Sequence, residues 1–475
     1  MIRLWPSHVI GLLCSIVSQL LNRVVPSNIL AMMKRVLLIG YNYYPEPTGI
    51  GKYSGEMIAW LAQKGYDCEV LTSYPYYPHW KVQDEYKSKR YWYSSEYQPL
   101  GEGVEVKIHR CPMYIPVVPS GVNRMLLDLS FFISAFSRIL LLLFGKRYDY
   151  IITVAPSFQL GLLGIFYKML RKTLLIYHIQ DLQIEAAKDL KLITSQKVID
   201  FLFHLEKFIL NQSDVVSTIS EGMAKKIRTK VRKDICLFPN WSDCKLFYPN
   251  PSYDSLKKEL GLTSSDRIVL YSGSIGEKQG LDAVLYAAKA LEFHGNLKFI
   301  ICGSGPYKQK LQQLAEQLGL RNVLFCPLQP LNRFNLFLNM ADVHLVIQKA
   351  CASDLVMPSK LTSILGVGGL ALVTASIGTS LYSCIRDHNI GLVVEPENQQ
   401  ALTEGIWKAV ATDCSMLRKN ARTYAEEFLS LERIMENFEN QVLQNNGKLR
   451  RSIHAEAASK APVHAHLVEM RALRK

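Results

Sequence analysis

From Lys34 onward the chain alternates between two patterns: a short apolar run closed by a turn, then a segment with helical spacing. Residues 36–41, 68–72, 104–109, 150–154, 174–178 and 214–219 read as a first series of strands. The alternation halts at 238–243 and 248–251, where Pro239, Asn240, Pro249, Asn250 and Pro251 supply turn chemistry. It restarts with strands at 268–272, 297–302, 322–325, 342–347 and 370–374. Short apolar strands separated by helices pair in parallel and are covered on both faces. The 475 residues also exceed the roughly 250–300 at which one core stops growing. The expectation is therefore an α/β protein of two doubly wound Rossmann-like domains, 34–240 and 241–445, facing a central cleft. Ligands of such sheets bind outside the carboxyl ends of the strands, so each domain offers half a site. Residues 74–98, aromatic and Pro-containing, read as an irregular functional loop.

With 49% apolar and 20% charged residues, the chain is neither a disordered tail nor a disulfide-framed miniprotein. Its ten cysteines form no CxxC and several sit in apolar runs, which points to reduced, buried thiols and away from zinc. The formal charge of +14 is unevenly spread: +2 in 1–33, +8 in 34–240, −1 in 241–445 and +5 in 446–475. An anionic partner is expected on the first domain. Nucleic acid is disfavoured, because the basic run 225–233 lacks interleaved aromatics. A solvated face or lipid headgroups suit that run better.

Three segments lie outside the alternation or strain it. Residues 1–33 carry an apolar run, 9–21, and are expected to be a dispensable extension upstream of Met33, with a membrane-binding helix as the alternative. Residues 126–144 approach a membrane span in length but include Asp128 and Arg138, so an amphipathic helix is expected, lying on a membrane or covering a sheet. The tail 446–475, with His454, His464 and His466, reads as disordered.

The chemistry collects at strand ends. Residues 43–52, YYPEPTGIGK, would need Gly at 46 and Ser or Thr at 53 to be a P-loop; Glu46 and Tyr53 exclude it. What remains at Thr48, Gly49 and Ile50 is a strand-to-helix turn, either with amides facing an anion or with glycine serving geometry alone. LIYHIQD at 175–181 puts His178 and Asp181 just beyond a buried strand. There a His can shuttle a proton, and an Asp can bind sugar hydroxyls or cap the next helix. In the second half YSGSIGEKQG (271–280) offers Gly273, Ser274 and Lys278 as a diphosphate clamp. Gly303, Ser304 and Gly305 close the next strand, and Pro358, Ser359, Lys360, Leu361 and Thr362 open a helix.

Taken with their order, YNYYPEPTGIGKYS (41–54), YHIQDLQ (177–183), YSGSIGEKQGLD (271–282), CGSGP (302–306) and MPSKLTSILGVGG (357–369) resemble the retaining family-4 glycosyltransferases of the GT-B fold. The similarity spans roughly 34–440 and is nearest to the colanic-acid-type exopolysaccharide fucosyltransferase branch. The resemblance implies a nucleotide-sugar donor, GDP-fucose in that branch, held by the second domain. Lys278 would touch the diphosphate, while Gly303, Ser304, Gly305 and residues 358–362 would line the donor pocket. A lipid-linked, polyprenyl diphosphate glycan acceptor would meet the first domain, with Gly49 at the reaction centre and His178 and Asp181 facing the sugar. The same resemblance implies retention, and no cofactor is expected. Reduced thiols suit a cytoplasmic chain, and the basic first domain with its 126–144 helix suits the inner face of the plasma membrane. No Asp-x-Asp closes a strand, so no divalent metal is expected. The chain departs from the family at Gly273, where an Arg is usual, and at Leu355 and Ser363, where two Glu are usual. A non-catalytic scaffold in polysaccharide assembly is the competing reading.

Overall fold

The computed structural model describes residues 33–444 apart from 48, 118–120, 190–192, 194 and 351–357. The expectations for 1–32, Thr48, Leu355 and the tail lie outside the described residues. The first sheet contains β1 (Arg35–Ile39), β2 (Asp67–Ser73), β3 (Ser94–Pro99), β4 (Glu105–Cys111), β5 (Tyr150–Ala155), β6 (Leu174–Ile179), β7 (Val215–Thr218) and β8 (Ile235–Leu237). Their spatial order is β3-β4-β2-β1-β5-β6-β7-β8. Helices α1 (Gly49–Gln63), α2 (Gly121–Leu142), α3 (Leu160–Arg171), α4 (Gln183–Asp189), α5 (Gln196–Gln212) and α6 (Glu221–Lys230) connect them. Every position of β5 and β6 is buried, as parallel strands covered on both faces require.

The second sheet comprises β9 (Arg267–Ser272), β10 (Leu297–Cys302), β11 (Val323–Cys326), β12 (Val343–Val346), β13 (Ala371–Thr374) and β14 (Gly391–Val394), ordered β11-β10-β9-β12-β13-β14. Its helices are α7 (Asp254–Glu259), α8 (Asp282–Ala290), α9 (Lys308–Gln317), α10 (Leu331–Asn339), α11 (Lys360–Gly366), α12 (Ser380–Asp387), α13 (Gln399–Ala411) and α14 (Ser415–Phe428). Both sheets reverse their winding beside the first strand, at β1/β5 and β9/β12. Those switch points are where a doubly wound sheet opens a crevice. Residues from Glu432 form a separate compact unit, built from the helix Leu431–Phe438 and the π-helical Glu439–Gln444.

Two expectations are refined. The 74–98 stretch is not wholly irregular: it holds a short helical turn, Asp84–Tyr86, and β3, which pairs antiparallel with β4. Apolar alternation does not set that edge; polar pairs do. Arg110 Nη2 meets Glu96 at 2.7 Å, and Ser95 lies 3.1 Å from His109 Nδ1. The 126–144 segment belongs to α2, whose length and composition suffice to cross a membrane. It buries Leu127, Asp128, Phe131, Ala135 and Ile139 and leaves Met125, Leu126, Leu129, Ile133 and Leu141 exposed. One face covers the sheet and the other faces outward.

Candidate functional site

The loops leaving β1, β2 and β6 meet those leaving β9 and the start of α11. Tyr77, in the loop after β2, comes close enough to Ser274 after β9 for that side chain to bear on the ionisation of its phenol. Tyr53 of α1 lies 3.2 Å from Thr362 Oγ1 of α11, and Trp241 Nε1 donates to Glu56 Oε2 at 2.6 Å. These contacts hold the two crevices face to face.

Three titratable groups share this space. The Lys360 ammonium stands 3.6 Å above the Tyr271 ring. Burial, helped by the charge of Lys278, lowers its pKa to about 7. Asp181 follows β6, and burial pushes its carboxyl up to about 6 against the opposing pull of Lys278 and Arg124. An anion arriving between Lys278 and Lys360 would relieve the repulsion between two like charges. Lys360 also explains the departure at Gly273. A Cβ there would lie 3.0 Å from both its Cε and its Nζ, and φ at 273 is +148°. The amine occupies space that a side chain at 273 would otherwise claim.

The glycines at 303 and 305 serve close packing. A Cβ on Gly303 would fall 1.9 Å from the Gly273 carbonyl oxygen, and one on Gly305 would fall 2.1 Å from that of Ile275. The two loops therefore lie main chain on main chain, with Gly273 N donating to Cys302 O at 2.9 Å and Ile275 N to Ser304 O at 2.9 Å. Lys308 Nζ donates to Gly303 O at 3.2 Å, bringing a further cation to this turn. Around α11, Pro358 is half-buried and Ser359 exposed, whereas Leu361 is core and Thr362 is engaged with Tyr53 and with Ser359 O.

On the first domain Gly49 opens α1 with φ +61°, followed by half-buried Ile50. His178 sits inside β6 and not at its tip. Gln180 Nε2 donates to its Nε2 at 3.1 Å, and its Nδ1 lies 3.0 Å from Ser217 Oγ. Burial lowers its pKa to about 3, so the ring is neutral, with both nitrogens engaged inside its own sheet. Asp181, three residues further on and past the end of β6, is the member of the pair that feels the charge of Lys278. Sequence reasoning missed Tyr77, Arg124 and Tyr53. Tyr77 was hidden among the aromatics of the 74–98 stretch, and Arg124 lay just before the segment read as amphipathic. Tyr53 stands out in the sequence only as a mismatch to a P-loop.

With this geometry in place, residues 48–241 match the Glycosyl transferase 4-like domain, and residues 252–428 match Glycosyl transferases group 1. An Escherichia coli K12 protein assigned to colanic acid biosynthesis, the glycosyl transferase WcaI, is 39% identical over 421 residues, 86% of this chain and 99% of that one. Among solved structures, sucrose-phosphate synthase from Thermosynechococcus elongatus superposes with a TM-score of 0.67 at 19% identity, covering 89% of this chain and all of that one. Anabaena HepE in complex with UDP and glucose gives a TM-score of 0.61 at 14% identity, covering 86% of this chain and 100% of that one. The fold these structures share with the chain is GT-B.

Proposed function

The chain belongs to the group 1 glycosyltransferases, and from that premise we propose that it moves a sugar from a nucleotide-sugar donor to a lipid-linked glycan in exopolysaccharide synthesis of the colanic-acid type, with retention. The observation that carries this reading is that the charge of Lys278 bears both on Lys360, whose ammonium lies over Tyr271, and on Asp181 of the facing domain. The diphosphate leaving group would sit against Lys278 and Lys360. A dry site there makes fixed cations effective as negative charge develops on the departing oxygen. Asp181 would hold sugar hydroxyls from the acceptor side. Closure of the crevices would exclude the water that otherwise hydrolyses the sugar. A panel of nucleotide sugars, GDP-fucose among them, tests this by thermal shift. One donor should raise the melting temperature, and Lys278→Ala should abolish the rise. If no nucleotide sugar stabilises the wild type, the scaffold reading takes its place.

The outward face of α2 supports a membrane-facing orientation of the acceptor half. Met125, Leu126, Leu129, Ile133 and Leu141 are exposed, and Trp92 is 73% exposed beside Tyr93, whose hydroxyl donates to Ser134 O of α2. Exposed Lys87, Lys89, Arg90, Lys146 and Arg147 flank the patch in sequence. An apolar stripe with aromatic and basic flanks suits an anionic lipid surface, the cytoplasmic leaflet in this reading. Leu129→Glu with Ile133→Glu should weaken sedimentation with anionic vesicles while leaving donor binding intact.

A further inference from the structure

One buried carboxylate takes no part in that chemistry. Glu46 follows β1 and is 3% exposed. Its Oε1 accepts the backbone amides of Tyr76 at 3.0 Å and Tyr77 at 2.9 Å, and its Oε2 accepts Asn42 Nδ2 at 2.8 Å. Helix α1 makes room for it: a Cβ on Gly51 would lie 2.6 Å from Glu46 Oε2 and 2.7 Å from its Cβ. Burying a carboxylate is costly unless donors converge on it. The guanidinium whose charge bears on it, Arg110, is already bonded to Glu96, Ser73 O and Tyr44 O. Three N–H donors are what hold Glu46, and two of them belong to a loop from a different strand.

That second loop carries the consequence. The Tyr77 phenol comes close to the Ser274 side chain, and its ring lies 3.8 Å from where a Cβ on Gly49 would stand. The residue whose amide Glu46 fixes therefore touches both the turn that opens α1 and the loop that would cradle the diphosphate. We propose that Glu46 is a positioning residue for sugar transfer: it locks the Tyr76–Tyr77 backbone so that the Tyr77 ring stays against the turn at Gly49 with its hydroxyl beside Ser274, aligning the acceptor-side turn with the donor loop. The inference rests on the donor reading above. It assigns to Glu46 the alignment of two half-sites and no contact with substrate.

The test uses the full chain, the nucleotide sugar that most stabilises the wild type, and lipid-linked glycan extracts as acceptor. Glu46→Ala and Gly51→Ala should each lower kcat about 10–100-fold while donor affinity changes by no more than about threefold, the signature of misalignment. Glu46→Gln should recover most of that loss. Its carbonyl oxygen still accepts both amides, and the Asn42 amide can turn to present its own oxygen. Tyr77→Phe should lose a similar factor, and the double variant Glu46→Ala/Tyr77→Phe should be no worse than Glu46→Ala alone. Multiplying effects in the double variant, Gln as damaging as Ala, or an equal loss of donor affinity and turnover would each overturn the proposal. If Glu46→Ala fails to fold, Gly51→Ala and Tyr77→Phe carry the same comparison. A wild type that binds no nucleotide sugar overturns the donor reading and this proposal with it; an active wild type with an unimpaired Glu46→Ala overturns only the proposal.

Discussion

At the ends of β1 and β2 the loops are held by buried side chains: Glu46 on two amides, and Arg110 on two carbonyls and Glu96. At the ends of β9 and β10 main chain lies directly on main chain, with Gly303 and Gly305 laid against Gly273 and Ile275, and the Tyr271 hydroxyl and Lys308 Nζ add single bonds to Ser274 O and Gly303 O. The same crevice of the same sheet architecture is thus closed by buried polar side chains in one domain and by missing side chains in the other. The first arrangement fails when a polar group is removed. The second fails when any atom is added. The contrast also locates charge: a domain of +8 spends at least one cation on its own loops, while the domain of −1 would meet a diphosphate with a few placed lysines.

The largest effect should come from Arg110→Ala. The guanidinium is 1% exposed, and its loss strands Glu96 and two carbonyls, which should cost about 3–5 kcal/mol in denaturant unfolding. Next comes Gly303→Ala. With φ at +156° and a carbonyl oxygen 1.9 Å from the new Cβ, backbone strain and overpacking together should cost about 2–4 kcal/mol. Donor binding should fall with it, since the displaced partner is the Gly273 carbonyl. If Gly303→Ala is tolerated while Arg110→Ala is not, the two loops are not braced in opposite ways.

The comparison also explains what the sequence disclosed. Parallel strands buried on both faces leave continuous apolar runs, so β5, β6, β9 and β10 were legible within a residue or two. The glycine turns were legible too, because a missing side chain is visible at its own position. β3 was not: Ser94, Glu96 and Gln98 carry no apolar period, and their strand exists through partners on β4 and in the β1 and β2 loops. Glu46 and Tyr77 were hidden for the same reason, since each acts through a loop from another strand. His178 is expected just beyond β6 and lies within it. Its register opposite Ser217 on β7, which turns it into the sheet, is a matter of pairing that a lone sequence does not display.

A smaller effect sharpens the donor side. In the free protein Lys360 loses its proton near pH 7, and a bound diphosphate would favour the ammonium. Because the bound state then holds more protons than the free state above pH 7, affinity should fall about tenfold per pH unit there and level off below it. Calorimetry in buffers of different ionisation enthalpy should register uptake of up to about one proton at pH 8. Lys360→Gln should abolish both the uptake and the slope.

The smallest effect concerns the bond that joins the two kinds of loop. Tyr53 and Thr362 are both buried, their hydroxyls are 3.2 Å apart, and Thr362 Oγ1 already donates to Ser359 O at 2.9 Å. The shared proton therefore belongs to Tyr53, and the two partners are not equivalent. Tyr53→Phe removes the donor and leaves Thr362 its bond to Ser359, which should cost about 0.5–1 kcal/mol. Thr362→Val removes the acceptor and strands a buried phenol, which should cost about 1–2 kcal/mol. The double variant should recover part of that loss, because the stranded phenol is then gone and Ser359, an exposed residue, can offer its carbonyl to water. Equal costs for the two single variants would mean that water reaches the joint, and that the face-to-face crevices are open where Tyr53 meets α11.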